Sequence, residues 1–322
     1  MQSSEIWALV DKVQTIAVAG HVRPDGDCVG SCMALARYLR KEYPAKTIVV
    51  YFESMPESFS SLFDRDEYCV GFENLEKAEL FFAVDCSDQE RLGGAGTLFE
   101  QAEYTICIDH HISNKGYAQK NYNNPNASSA AEVLFELLQE DKVDKEIATA
   151  IYLGIVHDSG VFKYSNTSKR TMEIGGILIE KGVKNTELID QTFYAKTYIQ
   201  NQILGRVLLE SILALDGKVI VSQVSKKIMD FYGGTTADLE GIVEQLRITD
   251  GVEMALFMHE LEPLVYKVSM RSKNYVDVSA IASHFGGGGH IRAAGCTMTG
   301  TFHDITNSIL ELVDLQLKEV NK

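Results

Sequence analysis

The segment TIAVAGHVRPDGD, residues 15–27, joins a short apolar run to a polar turn that carries two aspartates. A run of this length with β-branched residues predicts a strand that is buried on both faces, as in parallel sheets. Three other runs share this character and lie far enough apart for crossover helices: Thr47–Phe52, Leu80–Val84 and Tyr104–Ile108. We therefore predict an α/β fold with a parallel sheet in the N-terminal part.

Helical patterns separate and follow these runs. Apolar residues at helical spacing predict a helix over Cys28–Lys41. Ser129 followed by Glu132 is typical of a capping box that opens a helix through Leu138. Helical patterns then dominate from about Asp144 to Leu213.

The C-terminal part of the chain repeats the alternation on a smaller scale. Strands are predicted over Lys218–Ser222, Val252–Phe257 and Leu264–Met270, and helices over Asp238–Arg247 and Val276–His284. These elements predict a second, smaller α/β domain.

Charge limits the kind of partner. The 322 residues carry a formal net charge of −15, and the sequence pI is near 5.0. Binding to a long nucleic acid depends on many Lys and Arg contacts with phosphates, so we expect no long nucleic-acid track. A small phosphorylated ligand remains compatible, because metal ions, an arginine and backbone N–H groups can reverse the field inside one cleft.

The cysteines and the hydropathy indicate the compartment. Six scattered cysteines without a C-x-x-C pair are typical of reduced thiols. No stretch reaches the roughly 18 apolar residues of a membrane span, and the first residues are unlike a secretory signal. We expect a soluble, cytoplasmic protein that does not bind membranes.

Acidic and histidine residues follow the predicted strands, at the point where each strand ends. Because the carboxyl ends of parallel strands meet at one edge of a sheet, we expect these side chains to converge. The converging residues would be His21, Asp25 and Asp27, then Asp85, then Asp109, His110 and His111, with Asp158 from a later helical segment.

Several aspartates in one place repel one another unless cations are present. Two divalent ions would balance four aspartates, and two imidazoles would add neutral ligands. Carboxylate oxygens with a few nitrogens suit Mn²⁺ best, with Mg²⁺ or Co²⁺ as substitutes, and the lack of cysteine argues against structural zinc. Any single aspartate at a strand end is more often a helix cap or a solvated loop residue, so this interpretation depends on the whole pattern.

The same residues resemble the motifs of the DHH superfamily of phosphoesterases. The matching segments are His21-x-x-Pro24-Asp25-Gly-Asp27-x-x-Gly30-Ser31, Val84-Asp85, the signature Asp109-His110-His111, and Gly154–Phe162. Phe285-Gly-Gly-Gly-Gly-His290, with Ala293-Ala-Gly295, is similar to the glycine-rich loop of the associated DHHA1 domain.

The resemblance spans nearly the whole chain. It implies a metal-binding DHH catalytic domain over residues 1–187, connecting helices over 188–215 and a substrate-binding DHHA1 domain over 216–322. The active site would lie in the cleft between the two domains.

Within the superfamily, the length and the C-terminal motif are most similar to the bacterial nano-RNase/pAp phosphatase group. That group degrades oligonucleotides of a few residues and removes the 3′-phosphate from adenosine 3′,5′-bisphosphate (pAp). The likeness implies a hydrolase that acts as an oligoribonuclease, an exonuclease of short oligonucleotides, and as a pAp phosphatase that yields AMP. A homodimer is one oligomeric state that the sequence leaves open.

The resemblance also implies roles for individual residues. His21, Asp25 and Asp85 would hold one metal ion, and Asp27, Asp85, His110 and Asp158 would hold the other. Asp109 would orient the imidazoles, and His111 would contact the substrate phosphate or assist proton transfer.

In the second domain, the resemblance implies a nucleotide-binding surface. Consecutive glycines let backbone N–H groups approach an anion, and an arginine fork suits a terminal phosphate. The residues that would bind the substrate are Arg271, Ser272, Gly287, Gly288, Gly289 and His290.

Other functions share the first-half motifs. A phosphodiesterase for linear dinucleotides such as pApA cannot be separated from a nano-RNase by sequence, and both activities can belong to one enzyme. A RecJ-like exonuclease would need more chain and a basic channel, and an inorganic pyrophosphatase would need several cationic side chains in the second domain. A non-catalytic nucleotide-binding regulator would be expected to lack part of the ligand set.

Overall fold

The apolar runs of the N-terminal part are neighbouring strands of one parallel sheet. A computed structural model describes residues 4–73 and 75–320 and confirms the predicted α/β class. The strands are β1 (Thr15–Ala19), β2 (Thr47–Phe52), β3 (Cys69–Val70), β4 (Leu80–Val84), β5 (Tyr104–Asp109) and β6 (Lys120–Asn123). Their order in the sheet is β3-β2-β1-β4-β5-β6, and every neighbouring pair is parallel.

Helices cover both faces of this sheet. In β1, Ile16 and Val18 enter the larger hydrophobic core, whereas Ala17 and Ala19 enter a smaller core on the other face. Such burial on both faces explains why the central strands β1 and β4 consist mainly of apolar residues. The helices of this unit are α1 (Ser4–Lys12), α2 (Gly26–Glu42), α3 (Glu57–Ser60), α4 (Gly96–Gln101), α5 (Ala130–Leu137), α6 (Lys145–Asp158), α7 (Lys169–Glu180) and α8 (Asn185–Ile189), with short 3₁₀ turns at Glu90–Ala95 and Glu140–Lys142 and a π-helical turn at Asp190–Tyr194.

The C-terminal part forms a second sheet. Its strands are β7 (Ile212–Ala214), β8 (Val219–Val224), β9 (Met254–Glu262), β10 (Val265–Ser272), β11 (Gly288–His290) and β12 (Ala293–Thr299), in the order β11-β12-β10-β9-β8-β7. Only β8 and β9 pair in parallel among the described strands of this sheet. The helices are α9 (Tyr198–Leu209), α10 (Lys226–Tyr232), α11 (Ile242–Arg247), α12 (Val278–His284) and α13 (Phe302–Val320), with a 3₁₀ turn at Thr236–Leu239.

The chain divides into two units, Met1–Ala195 and Lys196–Lys322. The segment 188–215, predicted as connecting helices, contains α9 and the strand β7, which pairs with β8. The helix predicted over Asp238–Arg247 begins only at Ile242, because Gly241 has a φ of 81° and interrupts it.

Two further features concern the whole chain. In its described part all six cysteines are free thiols, and Cys69 alone among them is exposed. No helix between residues 4 and 320, leaving out residue 74, combines the length and the apolar character that crossing a membrane requires.

Candidate metal centre

Three adjacent strands of the first unit deliver polar residues to one edge of the sheet. β1 is followed by His21, β4 by Asp85, and β5 ends at Asp109 before His110 and His111. Because β1 neighbours β4 and β4 neighbours β5, the strand order brings these residues together.

Helix termini hold the two aspartates that follow β1. Asp25 is the N-cap of α2, and its Oδ1 accepts hydrogen bonds from the backbone N–H groups of Asp27 and Cys28, both at 3.1 Å. The Asp27 carboxylate accepts from the N–H groups of Ala130 at 2.6 Å and Ala131 at 3.0 Å, at the N-terminus of α5. A helix N-terminus stabilises a carboxylate, so Asp27 is fixed although it is buried.

Asp85 lies at the centre of the cluster. Its side chain is buried, and its backbone has a φ of 54°, a region that Asp adopts more readily than most residues. Oδ2 lies 3.4 Å from Nε2 of His21, and Oδ1 lies 3.6 Å from Nε2 of His110. Within the described residues no group donates a hydrogen bond to Oδ1. A buried carboxylate oxygen without a donor is suited to a cation.

His110 connects Asp85 to the end of α6. Its Nε2 lies 3.1 Å from Oδ2 of Asp158, the last residue of α6, and 3.9 Å from Oδ2 of Asp27. Asp158 reaches this position because α6 packs tightly on α2 and α5. A Cβ at Gly154 would lie 2.5 Å from Oδ1 of Asp27, so only glycine leaves that carboxylate in place.

Asp109 and His111 form a hydrogen-bonded pair. Oδ1 of Asp109, a fully buried residue, lies 2.7 Å from Nδ1 of His111. Its Oδ2 accepts a hydrogen bond from Nδ2 of Asn114 at 2.6 Å. The ring of His111 is therefore oriented by a carboxylate that is itself held on its other side.

Burial and mutual repulsion change the acidity of the cluster. Burial and the charges of neighbouring aspartates, first Asp85, raise the pKa of Asp27 well above its usual value. Burial also raises the pKa of Asp158 to about 6. Burial lowers the pKa of His21, but the carboxylates of Asp25 and Asp85 beside its ring outweigh this effect and raise it to about 11. The aspartates of this cluster outnumber its histidines, so their mutual repulsion is not fully balanced. Bound cations would reduce this repulsion.

The donor atoms fit divalent metal ions. Three groups of side chains each place their ligand atoms within 4.8 Å of one another: His21 with Asp25 and Asp85, Asp27 with His110 and Asp158, and Asp85 with His110 and His111. Asp85 and His110 each belong to two groups. Carboxylate and imidazole ligands without cysteine are a donor set for hard or borderline divalent ions.

The sequence interpretation missed residues that support the candidate site. Asn114, three residues after His111, supports Asp109, and Asn166 donates from Nδ2 to the backbone oxygens of Ser128 at 2.9 Å and Asp158 at 3.1 Å. An asparagine shortly after a ligand motif is the available signal, but asparagine is so common in turns that it indicates little by itself.

His157, next to Asp158, has a different environment. Its ring contacts Phe59 and Phe193, with centroids at 4.9 and 5.4 Å, and its Nε2 lies 3.1 Å from Oγ1 of Thr192. Burial lowers its pKa to about 4, so the ring is neutral at physiological pH.

In the second unit, the predicted substrate residues fall into two kinds. Ser272 is buried and its hydroxyl donates to the backbone oxygen of Val276 at 2.6 Å. Arg271 is partly exposed and its Nε donates to Oε1 of Glu244 at 2.9 Å.

The glycine-rich segment is partly a strand. Gly288–His290 forms β11 and pairs antiparallel with β12. A Cβ at Gly287 would lie 2.2 Å from the backbone oxygen of Gly295, and one at Gly289 would lie 2.5 Å from that of Ala293, so strand packing requires both glycines. At Gly288 a Cβ would meet no described atom within 4 Å, and this residue and His290 are exposed.

Comparison with known proteins identifies two family domains in the chain. The model of the DHH family, N-terminal domain, matches residues 15–155, and the model of the DHHA1 domain matches residues 216–319. The chain is similar to two proteins named bifunctional oligoribonuclease and PAP phosphatase NrnA. The one from Bacillus subtilis is 30% identical over 92% of this chain and 93% of its own, and the one from Thermus thermophilus is 29% identical over 88% and 84%.

The fold has a solved counterpart. The crystal structure of an exopolyphosphatase-related protein from Bacteroides fragilis matches with a TM-score of 0.86, covering 99% of this chain and 97% of that chain at 20% identity. With a DHH domain, a DHHA1 domain after it and a relative that is 30% identical along almost its full length, the chain belongs to the DHH family of phosphoesterases.

Proposed function

We propose that this protein is a cytoplasmic hydrolase that uses two divalent metal ions, preferably Mn²⁺, to degrade oligonucleotides of a few residues to mononucleotides and to convert pAp to AMP. The observation that carries this proposal is the buried, unpartnered Oδ1 of Asp85 among three sets of carboxylate and imidazole donors within the described residues. The substrate class is supported by the names of the relatives from Bacillus subtilis and Thermus thermophilus.

The ligands divide into two sets that share Asp85. We assign His21, Asp25 and Asp85 to one ion, and Asp27, Asp85, His110 and Asp158 to the other. Divalent cations in such a site neutralise charge on phosphoryl oxygens and make water a better nucleophile near neutral pH.

The chain's own residues orient the reaction. Because Nδ1 of His111 faces Asp109, we assign the opposite nitrogen, Nε2, to the contact with the substrate. We assign to this nitrogen the proton that the leaving alcohol takes up. Asp109 fixes the ring and stabilises its charged form, as a carboxylate commonly does for a catalytic histidine.

The DHHA1 domain would bind the part of the substrate that is not cleaved. We assign Arg271 to a phosphate, and His290 and the backbone of Gly288 to a second contact, and the exposure of these residues supports the assignment. The formal charge of −15 supports short substrates, because a longer chain would gain little from further phosphate contacts.

The test compares products over time. Purified protein with Mn²⁺ is incubated with pAp, pApA, a short oligoribonucleotide, a long RNA and inorganic pyrophosphate. We expect AMP from pAp and mononucleotides from the short oligonucleotides, with slow turnover of the long RNA. Preferential turnover of pApA would favour the dinucleotide phosphodiesterase, and rapid turnover of pyrophosphate or long RNA would contradict the proposal.

Matched histidine variants test the site. His110→Ala should abolish Mn²⁺-dependent hydrolysis, whereas His303→Ala, at an exposed position in α13, should leave it unchanged. If His110→Ala keeps the turnover of the wild type, the metal-centre assignment is wrong.

A further inference from the structure

Two arginines of the second unit share one carboxylate. Oε2 of Glu244 accepts from Nε of Arg247 at 2.8 Å, and Oε1 accepts from Nε of Arg271 at 2.9 Å. Both arginine side chains are 31% exposed and the glutamate is 45% exposed. The three side chains sum to one positive charge and are open to solvent.

Strand register places Arg271 next to the predicted nucleotide-binding residues. Arg271 pairs with Ala293, and Ala293 pairs with His290, so the three side chains form one row on one face of the sheet. Only the methyl group of Ala293 separates Arg271 from His290 in this row. The next row on the same face consists of Ser269, Gly295 and Gly288.

Helix α11 approaches this face from the other side of Arg271. Arg271 also pairs with Ala255, which belongs to the same hydrophobic core as Ile242 and Leu246 of α11. Glu244 and Arg247 lie on this helix. Ala293, Gly295 and Gly288 thus form a surface of small residues on this face. His290 borders this surface at one side, and the two arginines that share Glu244 border it at the other.

The Glu244 carboxylate occupies the position that an oxyanion takes between two guanidinium groups. Guanidinium forks bind carboxylate and phosphate oxygens in the same geometry. A dianionic phosphate carries more charge than a carboxylate and offers more acceptor oxygens, so it can replace the glutamate on both arginines.

We propose that Glu244 holds the place of the substrate's uncleaved phosphate, that this phosphate displaces it, and that Arg247 then binds the phosphate together with Arg271. This inference rests on the proposed function, since it takes Arg271 as a phosphate ligand. Glu244 lowers affinity for nucleotides by competing with the phosphate, and it speeds the release of mononucleotide products.

The test measures binding of AMP and of adenosine to the Mn²⁺-loaded protein by calorimetry. Glu244→Gln removes the competing charge at nearly constant shape, and we expect the Kd for AMP to fall about fivefold, or about 1 kcal/mol, the scale of an exposed ion pair. Binding of adenosine, which lacks the phosphate, should not change. Glu240→Gln, at an exposed position of the same segment, is the matched control and should bind AMP like the wild type.

A second variant keeps the proposal testable if Glu244→Gln is less stable. Arg247→Gln should weaken AMP binding about tenfold and leave adenosine binding unchanged. If Glu244→Gln weakens AMP binding or leaves it as in the wild type, the carboxylate only supports the arginines and the proposal is overturned. Unchanged AMP binding by Arg247→Gln overturns it as well.

Hydrolysis separates this inference from the proposed function. If the wild-type protein hydrolyses pAp and Glu244→Gln binds AMP with unaltered affinity, the inference alone is rejected. If Glu244→Gln binds AMP more tightly but the wild-type protein hydrolyses neither pAp nor short oligonucleotides, the proposed function alone is rejected.

Discussion

Replacing Gly154 with alanine should weaken metal binding more than it weakens the fold. A Cβ at this position of α6 would lie 2.5 Å from Oδ1 of Asp27 and 2.6 Å from Cβ of Ala131. Both distances are shorter than van der Waals contact, so Asp27 or the start of α5 must move. The predicted ligand is therefore displaced by a change in a residue that contacts no metal.

Two effects on stability partly cancel. Alanine is favoured over glycine in a helix by about 1 kcal/mol, and overpacking costs about 1–3 kcal/mol. The free energy of unfolding without metal should therefore fall by about 2 kcal/mol at most. Loss of a supported ligand geometry costs roughly 10–100-fold in metal affinity, which removes about 1.4–2.7 kcal/mol of metal-linked stabilisation.

The assay measures thermal unfolding in EDTA and in saturating Mn²⁺, and titrates pAp hydrolysis with Mn²⁺. Gly176→Ala in α7 is the control, because a Cβ there would meet no described atom within 4 Å. It should leave the Mn²⁺ dependence unchanged and keep or raise the Tm. If Gly154→Ala requires no more Mn²⁺ than the wild type, the close contact with Asp27 does not control the site.

Three other changes give separate tests. Asn114→Ala removes the 2.6 Å hydrogen bond that Asn114 donates to Asp109, and it should lower kcat for pAp roughly 10–100-fold with little change in KM. An effect on KM alone would contradict this supporting role of Asn114. Glu253→Gln replaces a buried carboxylate that accepts hydrogen bonds from the N–H groups of Asn274, Tyr275 and Val276. Urea unfolding should show that the free energy of unfolding falls by about 2–3 kcal/mol. An unchanged free energy of unfolding would argue against this role. Burial would raise the pKa of Glu67, but the Arg37 guanidinium outweighs it and holds the pKa below 4.5. A depressed folded-state pKa stabilises the protein at neutral pH, and the effect is lost as the pH falls through the folded pKa. Glu67→Gln should therefore cost about 1 kcal/mol in urea unfolding at pH 7 and progressively less in acid, and a cost that does not shrink in acid would contradict this.

The sequence predicted the buried strands well because both faces of the first sheet are covered. β1, β2, β4 and β5 consist mainly of apolar residues, and the predicted ends of β2, β4 and β5 lie within one residue of the observed ends. β11 was missed because its glycines are typical of a loop, although Gly287 and Gly289 are required by close contact with neighbouring backbone. The break at Gly241 was missed since a lone glycine in a helical pattern is often tolerated.

The site was harder to predict in its supporting contacts than in its acidic residues. Strand ends and parallel order suffice to gather His21, Asp85 and His110 at one edge. The donors to Asp27 are backbone groups from a helix more than a hundred residues away, with |i−j| of 103 and 104. A capping signal at Ser129 located the start of that helix but not the side chain at which it points.

The attachment of Asp27 to main-chain donors determines which substitutions the start of α5 tolerates. Side chains at 130 and 131 that fit the buried space preserve both hydrogen bonds, because the bonds come from N–H groups. Proline is the exception. Helices commonly accept it at their first position, so Ala130→Pro would keep α5 helical while deleting the 2.6 Å bond to Asp27. During divergence of such enzymes, selection against proline at that position would preserve this proposed ligand without fixing any particular side chain.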